Sequence, residues 1–169
     1  MLKIIVTGTE SSGKTTLCKA LSKHYNLPFT KEFAREYLTD LGKNYLQEDL
    51  LEIAKGQLEN EQLITNNQQI SLHDTDLITL KIWSDYKYGS CNNWILEQIE
   101  KQKVENRFYL LCKPDLKWDY DPLRENPNDR DDLFAIYKKD LERLGHNYFI
   151  VEGEERFQRA IQKILILKD

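Results

Sequence analysis

Gly8-Thr9-Glu10-Ser11-Ser12-Gly13-Lys14-Thr15, preceded by the apolar run Leu2-Lys3-Ile4-Ile5-Val6, is the stretch on which the reading of the fold turns. It matches G-x-x-x-x-G-K-[ST] at every specified position. The glycines let the backbone curl so that successive N–H groups converge on phosphate oxygens, and the helix that follows presents its positive end to the same anion. Lys14 is expected to reach the β- and γ-phosphates, and the Thr15 hydroxyl to ligate Mg²⁺. Gly8, Glu10, Ser11, Ser12, Gly13, Lys14, Thr15 and Thr16 therefore form the expected nucleotide site, with ATP and Mg²⁺ as cofactors. A loop of this kind binds a nucleoside triphosphate; it does not fix what happens next.

Outward from this loop, the pattern Leu17, Ala20, Leu21, Tyr25 is that of an amphipathic helix, broken at Asn26-Leu27-Pro28. Pro28 to Glu32 reads as a short second strand and Phe33 to Leu41 as a helix closed by Gly42. Gln47 to Thr65 reads as a long helix softened at Gly56, and Gln69 to His73 as a third strand. Asp76 to Tyr86 and Asn92 to Lys101 read as helices, Phe108 to Cys112 as a strand, Leu133 to Leu144 as a helix stopped by Gly145, Tyr148 to Val151 as the last strand and Phe157 to Leu167 as the last helix. Five strands alternating with helices imply an α/β fold with a parallel sheet covered on both faces and ligands at the carboxyl ends of its strands. Lys113 to Asp129 is polar and carries Pro114, Pro122 and Pro127, so it is expected to be a flap rather than a regular element.

At 169 residues the chain fits one domain. Its 24 basic and 28 acidic residues give a net charge of −4, which disfavours a general nucleic-acid binder. Cys18, Cys91 and Cys112 are far apart with no C-x-x-C pair, and Ile164 to Leu167 cannot span a bilayer. The expectation is a reduced cytoplasmic setting, with no nucleic-acid or membrane partner. His24, His73 and His146 have no neighbour at metal-ligand spacing.

Asp74, at the end of the third strand, is the candidate carboxylate for Mg²⁺ or its waters, with Asp76 two residues on. The competing role is helix capping by Asp74 or Thr75. Glu32, Arg35 and Glu36 follow the second strand. A carboxylate there could accept the proton of an attacking hydroxyl or hold a ribose diol, and Arg35 could reach an anion. In the flap, Trp118-Asp119-Tyr120-Asp121-Pro122-Leu123-Arg124 and, further on, Arg130 supply arginines suited to the charge of a migrating phosphoryl group. Trp83, Tyr86, Tyr88, Trp94 and Trp118 are candidates for a flat stacking surface, Trp118 the foremost because it stands in a polar segment.

The phosphate loop, Glu32-Phe33-Ala34-Arg35-Glu36, Asp74-Thr75-Asp76 and Trp118-x-x-Asp121-x-x-Arg124 together resemble the NadR-like nicotinamide riboside kinase family, in order and over nearly the whole chain. The resemblance implies a three-layer P-loop fold like that of nucleoside monophosphate kinases, with a mobile lid over about 113–130. It implies ATP-dependent phosphorylation of a riboside 5′-hydroxyl. It also implies catalytic roles for Lys14, Glu32, Asp76 and Arg124, and nucleotide contacts for the loop and Arg130. Acceptor contacts are implied for Glu32, Arg35, Asp76 and Trp118, and metal contacts for Thr15 and Asp74. Because Met1 opens directly on the first strand, only the kinase step is expected of this chain. The nearest alternatives are a kinase for another nucleoside or nucleotide and a nucleotide-switched binding protein. For the latter, neither N-K-x-D nor D-x-x-G is present.

Overall fold

The computed structural model describes residues 1–64 and 69–168. Its elements run β1 (Leu2–Gly8), α1 (Lys14–Tyr25), β2 (Phe29–Thr30), α2 (Phe33–Leu41), α3 (Gln47–Leu63), β3 (Ile70–Asp74), α4 (Leu77–Tyr88), α5 (Asn93–Gln102), β4 (Arg107–Cys112), α6 (Arg130–Leu144), β5 (Asn147–Val151) and α7 (Arg156–Lys168). The strands form one five-stranded sheet in the order β2-β3-β1-β4-β5. Every pairing in it is parallel.

Alternation along the strands divides the core into two layers. Ile4, Val6, Phe108 and Leu110 face α1 and α7, packing with Leu17, Leu21, Ala160 and Ile164. Ile5, Tyr109 and Leu111 face the opposite layer, with Leu38 of α2, Ile53 of α3, Ile78 of α4, Ile95 of α5 and Leu141 of α6. Burial on both sides explains why β1 and β4 read as continuous apolar runs rather than alternating ones. The chain leaves β1 toward β2 on one side and later crosses from β3 to β4 on the other. The carboxyl end of β1 therefore lies at the switch point where such sheets bind ligands.

Most expected elements are present, with different ends. β2 is only two residues long, and α4 runs on through Tyr88. The expected end of the long helix at Thr65 lies outside the described residues. α3 is continuous through Gly56, where an added Cβ would stand 2.3 Å from Phe33 Cε1. That glycine is thus a point of close approach between α2 and α3, not a soft spot in the helix. It seats Phe33, and with it the adjoining Glu32. Among the described residues, no helix is long and apolar enough to cross a membrane.

Candidate active site

The phosphate loop emerges tight against β4. Gly8 has φ 137°, and a Cβ there would lie 2.6 Å from the carbonyl oxygen of Cys112. Inside the loop the Thr9 carbonyl accepts from Ser12 Oγ at 2.7 Å and from Lys14 Nζ at 2.8 Å. α1 starts at Lys14 with no side-chain cap and no acidic residue in its first turn, so its N–H groups and its positive end are uncompensated by any carboxylate of its own. From the other side Arg156, the first residue of α7, donates from Nη1 to the Ser12 carbonyl at 2.9 Å, while its Nη2 pairs with Asp115.

At the end of β3, Asp74 Oδ2 accepts from Thr15 Oγ1 at 2.6 Å, and its Oδ1 is buried with no partner among the described residues. Burial, and then the nearby Glu32 carboxylate, push the Asp74 carboxyl up to about 6. Thr75 next adopts φ +66°, a conformation costly for a β-branched residue, and turns the chain sharply down into α4. Asp76 is carried away from the loop and becomes the N-cap of α4, accepting from the Ile78 N–H at 3.1 Å. Its other oxygen receives Tyr109 Oη at 2.7 Å and Arg107 Nη1 at 3.2 Å, and both partners in this ion pair have fully buried side chains. Asp76, expected at the reaction centre and the acceptor, is thus not brought together with Lys14, Glu32 and Arg124 in the cavity. A carboxylate enclosed by Arg107, Tyr109 and a helix end has no face left for substrate.

Thr15 and Asp74 suit Mg²⁺. They offer hard oxygen donors, one of them an orphaned carboxylate oxygen, and Mg²⁺ takes few protein ligands beside phosphates and waters. Among the described residues, no group of three or more His, Cys, Asp or Glu side chains could hold a metal alone.

A single cavity extends from the loop residues Gly8 to Thr16 to a wall of Glu32, Ala34, Arg35, Leu38, Thr79, Ile82, Trp83, Tyr86, Leu123, Arg124, Asn126, Leu133 and Tyr137. The wall is largely apolar and aromatic, with one carboxylate and two guanidinium groups set into it. Glu32 occupies the N-cap position of α2 yet makes no capping bond. The buried Gln57 of α3 takes its place, accepting the Phe33 N–H on Oε1 at 2.8 Å and reaching the carbonyls of Asp74 and Thr75 at 3.5 Å. One amide thus braces both acidic strand ends, and the Glu32 carboxylate is left to the cavity. The sequence signal for Gln57 is its place on the apolar stripe of α3, after Leu50, Ile53 and Ala54.

The flap lies down on the loop. The Glu10 carboxylate accepts the N–H of Glu125 at 3.0 and 3.1 Å and that of Asn126 at 2.9 Å, and Ser11 Oγ accepts the Asp119 N–H at 3.0 Å. The side chain of Glu10 is accordingly a flap anchor, a role its expected place in the nucleotide site did not anticipate. Arg35 pairs with Asp121 at 2.9 Å, and Arg124 with Asp119. Trp118 is not part of the cavity wall; its ring stands 5.7 Å from the Arg130 guanidinium carbon. The structure does not bring Trp118 to the cavity with Glu32 and Arg35; the aromatic side chains in that wall are Trp83 and Tyr86 of α4 and Tyr137 of α6. Arg130 opens α6 and donates to the carbonyls of Leu116 at 2.9 Å and Ser11 at 3.4 Å.

Residues 3–159 match the family model of an AAA domain. The chain belongs to this AAA-domain family. No curated protein sequence matches it. Among solved structures, a NadR protein in complex with NR superposes with a TM-score of 0.78 at 24% identity, over 96% of this chain and 50% of that one. A NadR protein with NAD and AMP-PNP gives 0.70 at 22% identity, over 96% and 48%. The chain thus spans about half the length of the NadR chains it resembles. Deoxyadenosine kinase from M. mycoides with bound dATP gives 0.61 at 16% identity, over 97% of this chain and 99% of its own. The AAA-domain chain shares with them a P-loop α/β fold of the kinase kind.

Proposed function

We propose that this AAA-domain protein is an ATP- and Mg²⁺-dependent kinase acting on the 5′-hydroxyl of a nucleoside, with nicotinamide riboside the favoured acceptor. One observation carries the reading: the phosphate loop opens directly onto an aromatic cavity with the uncapped Glu32 carboxylate in its wall. A triphosphate-binding protein with no acceptor has no use for such a chamber. The kinship in fold to NadR with NR and to a deoxyadenosine kinase supports the acceptor class. The aromatic faces of Trp83 and Tyr86 suit a cationic pyridinium ring, and the two cavity arginines are each matched by a flap aspartate.

In this mechanism the loop N–H groups and Lys14 hold the β- and γ-phosphates, exchanging the Thr9 carbonyl for phosphate oxygens at the lysine. Thr15 and Asp74 would hold Mg²⁺, which would supply positive charge against the phosphates. Glu32 orients the acceptor hydroxyl and takes its proton as the oxygen attacks. Arg124, freed from Asp119, meets the negative charge that gathers on the migrating group. The flap keeps water out of the chamber.

Steady-state ATP consumption across a nucleoside panel tests the reading. Nicotinamide riboside should give the highest kcat/KM, with deoxyadenosine and other nucleosides lower. ATP binding with no consumption against any member would make the protein a nucleotide-switched binder instead.

A further inference from the structure

Beyond the cavity wall, and touching it from behind, three side chains, two from α4 and one from the segment before α3, meet on one carboxylate of the flap. Glu125 of the flap receives Tyr45 Oη at 2.5 Å, Lys87 Nζ at 2.7 Å and Trp83 Nε1 at 3.4 Å. The Lys87 ammonium also stands 3.7 Å above the Tyr45 ring, and the Tyr45 and Trp83 rings are packed edge to face at 5.2 Å. Burial works to raise the Glu125 carboxyl, but Lys87, Tyr45 and Trp83 outweigh it and hold the group below its ordinary value, so it is ionised at neutral pH. The backbone N–H of the same residue is fixed by Glu10 of the phosphate loop. Glu125 itself does not line the cavity, whereas Trp83 does.

A partly buried indole has more than one rotamer, and only some present its face to the chamber. Trp83 has one polar atom, Nε1–H, which reaches the Glu125 carboxylate at 3.4 Å and also bonds the Tyr45 hydroxyl, itself held by that carboxylate. We propose that Glu125 is a positioning residue for acceptor selection: by holding Trp83 from behind, it fixes the indole as the wall against which a flat, aromatic-ring nucleoside is received. The proposal rests on the kinase reading above for its acceptor class. Selection by Trp83 is thereby tied to the loop, because the residue that sets the indole is the one Glu10 anchors.

The test combines kinetics with a ligand-free measurement. In ¹⁵N-labelled protein the three indole N–H resonances are recorded, that of Trp83 being the one lost in Trp83→Phe. Glu125→Ala should move the Trp83 resonance and leave those of Trp94 and Trp118 in place. In the assay Glu125→Ala should raise KM for the nucleoside about tenfold, with kcat and the KM for ATP within about twofold of wild type. Glu125→Gln keeps an acceptor for the indole and should recover most of the loss. An unmoved Trp83 resonance overturns the proposal, as does a fall in kcat with an equal rise in both KM values. A wild-type protein that phosphorylates no nucleoside would defeat the kinase reading, while the indole resonance would still decide whether Glu125 holds Trp83.

Discussion

Asp74 and Asp76 stand two residues apart and are equally hidden from solvent, yet the fold uses them in opposite ways. Asp74 faces Thr15 of the phosphate loop with one oxygen unpartnered, and its charge is a burden the folded chain carries. The Asp76 carboxyl is also pushed up by burial, against the pull of Arg107 and Tyr109, but both of its oxygens have partners in Arg107, Tyr109 and a helix N-terminus. The turn at Thr75 separates them. A carboxylate left incompletely satisfied beside a phosphate loop is poised for a ligand, whereas one enclosed by an arginine belongs to the frame.

The contrast can be broken first at Asp76. Asp76→Ala removes the cap of α4 and leaves Arg107, whose side chain is fully buried, short of one counter-charge. A loss of about 3 kcal/mol is expected, because a buried charge stripped of its partner is expensive. Tm should fall by about 10 °C, with turnover per folded molecule retained. An unchanged Tm together with lost turnover would return Asp76 to the reaction centre.

Asp74→Asn should move stability the other way. The folded carboxyl titrates near 6, above the ordinary carboxylate value near 4 that the unfolded chain shows, so the native state binds the proton more tightly. The penalty for the ionised form is absent below about pH 4, grows up to about pH 6 and is complete above it. In metal-free, nucleotide-free buffer at pH 7.5, Asp74→Asn should therefore be more stable than wild type by about 2 kcal/mol, and the difference should vanish as pH falls to about 4. Thermal melts across that range check the sign. A destabilised Asp74→Asn protein at pH 7.5 would place Asp74 with Asp76 as framework.

The smallest expected effects separate two tryptophans in the same manner. Trp83→Ala should raise KM for the acceptor about tenfold, and Trp118→Phe should change it less than about twofold. Comparable effects would restore Trp118 to the acceptor site.

The phosphate loop, its strand and its helix were legible in the sequence because the motif is local: eight consecutive residues specify the curve. The flap was legible as a proline-bracketed polar segment. What could not be read was which groups meet. Asp76 is assigned by Arg107, 31 positions away, and Glu10 by backbone groups 115 and 116 positions away. Trp118 drew attention because a large aromatic in a polar segment lacks an obvious core, and its partner proved to be Arg130. Trp83 sits at helical spacing and could pass for packing, although it lines the cavity as well as packing against the core. Gln57 and Arg156 carry no motif. Their importance comes from the groups they brace, which sequence order does not bring together.

The account stands most directly on phosphoryl transfer from γ-labelled ATP to the 5′-hydroxyl of nicotinamide riboside, measured for wild type and Lys14→Ala side by side. Among the described residues the Lys14 ammonium bonds one group, the Thr9 carbonyl, so its loss should leave Tm nearly unchanged. Transition-state charge would lose its cation, and turnover should drop by several kcal/mol, about a thousandfold or more. Labelled 5′-phosphate from wild type and almost none from a folded Lys14→Ala protein is the predicted result; equal transfer by the two proteins would contradict it.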